Sequence, residues 1–274
     1  MPRDDTEIVI RDCHALDDFH QCVAVQQAVW GFQDRDVIPV RFFVVAHKIE
    51  GHILGVFEAS GRMVGFALAV PALKGSTVYL HSHMLAVLPE YRERGLGRRM
   101  KLEQRQSALN RGIRLIEWTF DPLELKNAHF NLERLGAIAR RYVPNQYGVS
   151  SSPLHRGLPT DRLVAEWWLN APRVIARTTS VSESGASASG LGVPEHRSTG
   201  AAVERDIPLD IRRRISVPLA IAESQSCDKL AAAEVQAELR RQFQEAFSEG
   251  LVAVGFEIRE KTGDYLLGPW AEGK

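Results

Sequence analysis

The sequence predicts an α+β fold, in which a mixed, mostly antiparallel central sheet is flanked by helices and followed by a strand–helix–hairpin appendage. Strand-like apolar runs alternate with helical segments throughout residues 1–177. Two of these runs are joined by so short a turn that they predict an antiparallel hairpin. One stretch rich in Ser, Gly and Ala, at 178–207, then separates residues 208–274 from the rest.

The first elements follow from local signals. Pro39 suits the first turn of a helix, Gly51 suits its end, and Ser60-Gly61 suits a hairpin turn. In chain order the elements are a strand at 7–11, a helix at 17–29, a helix from Pro39 to Gly51, hairpin strands at 53–60 and 62–70, and an extended run at 77–88.

The elements that follow are bounded by glycines. Gly112 and Gly136 each end a segment of strong helix formers. In order they are a helix at 96–111, a strand at 113–120, a helix at 123–135 and a strand at 163–169. Residues 1–177 are therefore expected to form one domain.

Residues 208–274 are expected to form a small α/β subdomain. After the flexible linker at 178–207, residues 211–222 resemble a strand, and Asp228 can cap a helix. Apolar residues recur every four positions in that helix, and a terminal hairpin turns at Thr262-Gly263. So small a unit is expected to dock on the preceding domain.

The composition excludes several classes of protein. With 45% hydrophobic residues the chain can bury a core, and 34 basic against 34 acidic residues argue against a dedicated nucleic-acid binder or a polybasic membrane protein. Cys13, Cys22 and Cys227 show no metal or disulfide spacing. No signal peptide or membrane span is evident, so a cytoplasmic location is expected, and a homodimer is compatible with these features.

The most informative stretch is VLPEYRERGLGRRM, Val87 to Met100. A strand leads through two glycines into a helix, whose first N–H groups are unsatisfied and attract anions. A Walker A loop is absent, and a dinucleotide fingerprint would need glycine at Met100. The alternative is a surface helix with a solvated basic start. The residues predicted to bind a pyrophosphate are Arg92, Glu93, Arg94, Gly95, Leu96, Gly97 and Arg98.

This stretch resembles the core motif of the GNAT superfamily of acyl-CoA N-acyltransferases, Arg/Gln-x-x-Gly-x-Gly/Ala after Val-x-Pro. The order of elements over residues 7–170 is similar to that superfamily, and the run NAHFNLERLG, 127–136, resembles a second motif. The segment WTFDPLELKNAHFNLERLGA further resembles a subgroup of predicted acyltransferases. The resemblance implies an acyl-CoA co-substrate, acetyl-CoA or succinyl-CoA, and no metal. It implies pantetheine contacts near Leu85, Ala86 and Val87, and cofactor contacts at Asn127 and Asn131.

The sequence departs from this family at Leu132, where the family usually has a tyrosine that protonates the leaving thiolate. The acid is therefore missing, relocated to Tyr142 or Tyr147, or unnecessary, because a CoA thiolate is already a good leaving group.

By the same resemblance, His81 occupies the position of a glutamate general base, six residues before Val87. Strand alternation predicts that His81, His83, Leu85 and Val87 share one face. A histidine can accept a proton from an amine near neutral pH. Two other interpretations are a hydrogen-bonded structural pair and a shared zinc ion.

The resemblance implies that Trp30, Asp34 and Asp36 form one wall of the site for the acceptor substrate, which we call the acceptor wall, and that Asp121 lies across the sheet from them. Solvated or capping roles explain these residues equally well, and Asp121 followed by Pro122 can simply begin a helix. The function expected is acyl transfer to the primary amine of a small molecule, an amino acid among the candidates. The rivals are a non-catalytic acyl-CoA-binding module and a His-x-His metalloenzyme.

Overall fold

The computed structural model describes residues 7–179, 209–223 and 229–271. Residues 178 and 179 of the predicted linker are helical, while the rest of the linker and Asp228 lie outside the described residues. Its strands form a ten-stranded sheet in the order β1-β2-β3-β4-β5-β7-β6-β9-β10-β8. The strands are β1 (Ile8–Asp12), β2 (His52–Glu58), β3 (Met63–Lys74), β4 (Thr77–Val87), β5 (Leu115–Phe120), β6 (Ile138–Val143), β7 (Arg162–Trp168), β8 (Arg213–Pro218), β9 (Val252–Ile258) and β10 (Thr262–Gly268).

Seven helices in the described ranges flank this sheet. They are α1 (Leu16–Trp30), α2 (Val40–Lys48), α3 (Leu96–Asn110), α4 (Leu125–His129), α5 (Pro172–Thr179), α6 (Leu219–Glu223) and α7 (Lys229–Ser248). A π-helical turn at Phe130–Arg134 continues α4. Every strand pair in the described part is antiparallel except β4 with β5. The predicted fold class, a mostly antiparallel sheet flanked by helices, is confirmed.

Helices α1 and α2 pack on one side of the sheet, which we call the α1/α2 face. Phe19 of α1 stacks on Phe43 of α2 at 6.1 Å between ring centroids, and Phe43 meets Phe66 of β3 edge to face at 5.9 Å. All three rings are buried. Burial of aromatic rings is a large stabilising term, so these contacts fix the two helices on the sheet.

Helix α3 packs on the opposite side, the α3 face. Leu96, Met100, Gln104 and Ala108 recur at helical spacing and are buried. The face is not wholly apolar, because Lys101 and Gln104 are buried there beside Ser82 of β4.

The centre of β4 contains a β-bulge. Leu68 pairs with Met84 but its neighbour Ala69 pairs with Ser82, so His83 is an extra residue on β4. On its other side β4 pairs with β5 only at Leu80 and His81. The two strands are therefore paired for two residues, and the β5-facing edge of β4 has no strand partner beyond them.

The C-terminal strands extend the same sheet, because β9 pairs with β6 at Ala253 and Ala139. Helix α7 packs beneath them, with Phe243 stacked on Tyr142 at 5.7 Å. Arg240 donates two hydrogen bonds to the fully buried carboxylate of Asp161, at 2.9 and 3.0 Å. The division of the chain into domains nevertheless remains a prediction, because residues 180–208, which contain most of the predicted linker, lie outside the described residues.

Three elements differ from the sequence expectation. Strand β6 and helix α5 were not predicted, and the strand expected over 211–222 ends at Pro218, where α6 begins. The α6 backbone is tied to the hairpin by the Leu219 N–H, which donates to the Lys261 carbonyl at 3.0 Å. A proline cannot donate a ladder hydrogen bond, which suits the end of β8.

Candidate active site

The glycine loop before α3 has the geometry of an anion site. Gly95 is the N-cap of α3, with a left-handed φ of 71°, and no side chain of the described residues caps the helix. The first helical bond runs from the Arg99 N–H to the Gly95 carbonyl, at 3.0 Å. The N–H groups of Leu96, Gly97 and Arg98 are therefore left without an intrahelical partner and point to the helix N-terminus.

The space over this loop is open. A Cβ atom built on Gly95 would meet no atom within 4 Å, so the space beside this glycine is open to a ligand. These residues fit the diphosphate of an acyl-CoA, because free N–H groups at a helix N-terminus and a glycine without a side chain are what a diphosphate requires.

The arginines around the loop differ in their surroundings. Arg92 and Arg94 are exposed, Arg92 Nε donates to the Val87 carbonyl at 3.2 Å, and Arg94 lies 4.8 Å from the Tyr91 ring centroid. Arg98 instead donates to the Arg177 carbonyl of α5 at 2.6 Å, and burial lowers its pKa. The guanidinium groups of Arg92 and Arg94 are thus available to an anion, whereas that of Arg98 is already held.

The unpaired edge of β4 leads directly into this loop. Leu85, Ala86 and Val87 pair with β3 and have no strand on their other side. The side chain of Leu85 lies 3.5 Å from a Cβ built on Gly97, so strand and loop form one continuous surface. Backbone groups along this edge can pair with an extended ligand as a neighbouring strand would.

The bulge corrects the prediction that His81, His83, Leu85 and Val87 share one face. Residues paired directly across two strands lie on the same face. His81 pairs with Val70 and lies on the α1/α2 face, whereas Leu85 pairs with Ala67 and lies on the α3 face. The extra residue at His83 reverses the alternation, so His81 lies on the opposite face of the sheet from Leu85 and Val87.

The two imidazoles lie beside each other, with ring centroids 5.8 Å apart. Burial, and secondarily the charge of Lys101, lowers the pKa of His81. The pKa of His83 is lowered to about 4, first by desolvation and second by the charge of His81. Both are therefore neutral near pH 7, and neither makes a hydrogen bond to another described residue. Within the described ranges, no three His, Cys, Asp or Glu side chains converge as metal ligands.

Tyr142 and Tyr147, the two candidates for the general acid that protonates the leaving thiolate, lie in different surroundings. Leu132 is fully buried, and the Tyr142 hydroxyl donates to Asp161 at 2.7 Å, with a pKa raised by burial and by that carboxylate. Tyr142 is therefore part of the core. Tyr147 is exposed, and its hydroxyl lies 3.0 Å from Thr119 Oγ1 on β5.

The predicted acceptor wall is built from two loops. Trp30 stacks on Phe32 at 5.6 Å, and its carbonyl accepts a hydrogen bond from Ser152 Oγ at 2.6 Å. Asp36 accepts a hydrogen bond from the Ser151 N–H at 2.7 Å, and the hydrogen bonds from Ser151 lower its pKa. The connection between α1 and α2 is thus tied to that between β6 and β7, while Asp34 remains exposed.

Asp121, another residue predicted to contact the substrate, has structural partners. Asp121 Oδ1 accepts from the Leu123 N–H at 2.8 Å and Oδ2 lies 3.3 Å from Arg162, while burial raises its pKa. Helix α4 begins at Leu125, so Asp121 stabilises the turn before the helix rather than capping it.

The two asparagines predicted to bind the cofactor differ in exposure. Asn131 is buried and accepts a hydrogen bond from Trp118 Nε1 at 3.2 Å, whereas Asn127 is exposed on α4. Asn127 is thus free to meet a ligand from solvent, while the side-chain oxygen of Asn131 is already used within the protein.

The sequence reasoning missed Lys101, which is only 3% exposed. Its Nζ donates to Ser82 Oγ at 2.8 Å and lies 3.8 Å from the Trp118 ring centroid. In the charged run RRMKLEQRQ, a lysine side chain is expected to be exposed to solvent. Its helical spacing could have indicated burial, because Lys101 lies four residues after Gly97 and seven before the buried Ala108.

This fold is that of the acyl-CoA-dependent N-acetyltransferases. Residues 16–137 match the family model described as the acetyltransferase (GNAT) family, and the chain therefore carries a GNAT acetyltransferase domain. No curated protein matches the chain at a significant level. No helix in the described ranges is long and apolar enough to cross a bilayer.

Several solved structures are similar to this chain. An acetyltransferase from Acinetobacter baylyi is 16% identical, with a TM-score of 0.50, over 62% of this chain and 97% of that one. Salmonella typhimurium yncA, solved with acetyl-CoA, is 18% identical over 60% and 95%, with a TM-score of 0.47. The Escherichia coli ribosomal-protein-S18-alanine N-acetyltransferase is 16% identical over 58% and 92%, with a TM-score of 0.47. At these identities the likeness concerns the fold.

Proposed function

We propose that this protein transfers an acetyl or succinyl group from acyl-CoA to the primary amine of a small molecule, and that an amino acid is the first acceptor class to test. The observation that carries the proposal is the continuity of the unpaired β4 edge with the open glycine loop of α3. An extended pantetheine can follow the edge while the diphosphate meets the helix N-terminus.

The residues that hold the co-substrate follow from this surface. The N–H groups of Leu96, Gly97 and Arg98 bind the diphosphate, and Arg92 and Arg94 add positive charge. Backbone N–H groups near Leu85 and Val87 polarise the carbonyl oxygen of the acyl group. Bound acyl-CoA supplies the activated thioester.

The residues of the chain position the two reactants and transfer the protons of the amine and of the leaving thiolate. The amine attacks the thioester carbonyl directly, so bringing the two reactants together is a large part of the acceleration. His81 is neutral near pH 7 and has a free nitrogen, which suits it to accept the proton of the amine. Tyr147 is the candidate that protonates the leaving thiolate, because Tyr142 is buried and committed to Asp161.

Two features support a small acceptor. The α1–α2 and β6–β7 connections are joined by hydrogen bonds from Ser151 to Asp36 and from Ser152 to Trp30. Loops tied in this way narrow the approach to the α1/α2 face, where His81 lies. The aromatic surface of Trp30 and Phe32, with the exposed carboxylate of Asp34, suits the alkyl part and the ammonium group of such a molecule.

The test is thiol release from acetyl-CoA and succinyl-CoA across a panel of amines that includes the common amino acids, short peptides and polyamines. Amine-dependent release with an acylated product identified by mass spectrometry is the expected result. A protein that binds CoA but releases no thiol with any amine is a binding module, and this outcome would overturn the proposal. Release only with peptides would overturn the small-acceptor part alone.

A further inference from the structure

Two glutamates lie almost buried on the α1/α2 face of the sheet, beside His81. Glu117 of β5 is the register partner of His81, and Glu166 of β7 is the register partner of Glu117. The three residues therefore form one row across β4, β5 and β7 on this face. The side chains of Glu117 and Glu166 are only 5% and 1% exposed. Carboxylates at this depth need cationic partners, because burial removes their hydration.

Two arginines of β6 are these partners, and they form the outer layer of the cluster. Arg141 Nη2 donates to Glu117 Oε1 at 2.6 Å, and Arg141 Nε donates to Glu166 Oε1 at 3.3 Å. Arg140 donates to Glu166 Oε2 at 3.0 and 2.7 Å. The side chains of Arg141 and Arg140 are 39% and 32% exposed. The four charges sum to zero, with the negative charge buried and the positive charge at the surface.

Arg141 keeps hydrogen-bonding capacity toward solvent. A guanidinium carries five N–H donors. In the described part of the chain two of those of Arg141 are used, one by each glutamate. Since the two buried carboxylates hold the guanidinium in place, a ligand that binds its outer donors loses little side-chain entropy. Planar donors held in this way suit a carboxylate, which can accept two of them side by side.

The same face carries the residues that the proposed mechanism uses. Through β7, Arg141 lies in the same cross-strand row as Thr119, whose Oγ1 is 3.0 Å from the Tyr147 hydroxyl. The Arg141 guanidinium reaches from this row to Glu117, which lies one strand from His81. Neighbouring strands are about 4.8 Å apart. A small molecule whose amine lies at His81 can therefore reach Arg141 with a second group.

We propose that Arg141 binds a carboxylate of the acceptor, so that the acceptor is an amino acid or another amine that carries a carboxylate. This inference rests on the proposed function and selects among the amines that such an enzyme could use. The amine of the acceptor lies at His81 while its carboxylate accepts hydrogen bonds from the outer N–H groups of Arg141. Polyamines and amino-acid amides lack this carboxylate and should be poor acceptors.

The test measures acetyl transfer by the full-length protein to the common amino acids, each paired with its α-carboxamide. The readout is the ratio of kcat/KM for the acid to kcat/KM for the amide, and comparing this ratio between variants cancels the different basicity of the two amines. Arg141→Gln should lower the ratio about tenfold, the size of a charge-assisted hydrogen bond at a partly exposed site. An unchanged ratio would overturn the inference. Acylation only of amines without a carboxylate would overturn it while the proposed function stands, and acylation of no amine would overturn both.

Arg140→Gln is the matched control, because it removes an arginine of similar exposure that is bonded to Glu166, one strand farther from His81 than Glu117. Its acid-to-amide ratio should equal that of the wild type, and equal losses in both variants would overturn the specific role of Arg141. Removing Arg141 alone leaves the buried Glu117 carboxylate without its ion pair, which can impair folding. The double variant Arg141→Gln/Glu117→Gln removes both charges and should show the same loss of ratio, with CoA affinity retained by calorimetry. A wild-type ratio in this folded double variant would overturn the inference.

Discussion

The glycine at the start of α3 allows the co-substrate site to be tested with a matched control. We predict that Gly95→Asn abolishes CoA binding while leaving the fold intact. Asparagine tolerates the left-handed conformation that Gly95 adopts at a φ of 71°, and its side chain would enter space that is now empty. Gly112, at the other end of α3, has a φ of 73° and equally open surroundings.

The magnitude follows from the hydrogen bonds that would be lost. A hydrogen bond to a charged group contributes about 1.5–3 kcal/mol, so displacing the diphosphate from two N–H groups costs about 3–6 kcal/mol. That corresponds to a loss of more than about 100-fold in affinity. The conformational cost of asparagine at a left-handed position is at most about 1–2 kcal/mol, and it should be similar at Gly95 and Gly112.

The assay is calorimetric titration with CoA, together with thermal unfolding of both variants. Gly112→Asn should bind CoA as the wild type does, while Gly95→Asn should show no binding at the same stability. Acetyl transfer from S-acetyl-N-acetylcysteamine, which lacks the diphosphate, should be affected far less by Gly95→Asn. Wild-type CoA affinity in Gly95→Asn would refute the assignment of this loop, and equal losses in both variants would indicate a general effect of strain.

Three further predictions concern single side chains. His81→Ala should lower turnover by about 10²–10⁴ with CoA affinity retained, and its residual rate should rise with pH as more free amine becomes available; near-normal turnover at pH 7 would identify another base. Tyr147→Phe should lower turnover without loss of stability, whereas Tyr142→Phe should lower the melting temperature with turnover per folded molecule retained, and the reverse pattern would assign the acid to Tyr142. Arg240→Met should lower the free energy of unfolding by about 2 kcal/mol, as measured by urea denaturation, because it leaves the buried Asp161 carboxylate without its ion pair to Arg240, an effect reduced by the partial exposure of that arginine; an unchanged midpoint would contradict this.

Elements with local signals were predictable from the sequence. The glycines at 95 and 97 and the basic residues around them lie within one short segment, so the loop and the start of α3 follow from that segment alone. The same holds for the hairpin of β2 and β3, whose turn residues lie beside each other in the chain.

The features that depend on register could not be predicted. Whether His83 pairs or bulges is decided by how β4 aligns with the distant residues of β3, and one extra residue moves Leu85 to the other face. Lys101 looks solvated until the packing of α3 on β4 and β5 is known. Tyr142 and Tyr147 look equivalent in sequence, and only the position of Asp161 separates them.

The extension of the sheet beyond β6 has a consequence for self-association. Strand β6 is flanked by β7 and by β9, which pairs with it at Ala139, so part of its hydrogen-bonding edge is already occupied within the chain. The outermost strands are β1 and β8, and β8 carries Arg213 and Arg214, whose side chains form ion pairs with neighbouring glutamates. Charged outer strands resist addition of a further strand. A second copy of this chain that continued the sheet from β6 would have to displace β9, and removal of residues 209–271 would leave that edge of β6 open to pairing with another strand.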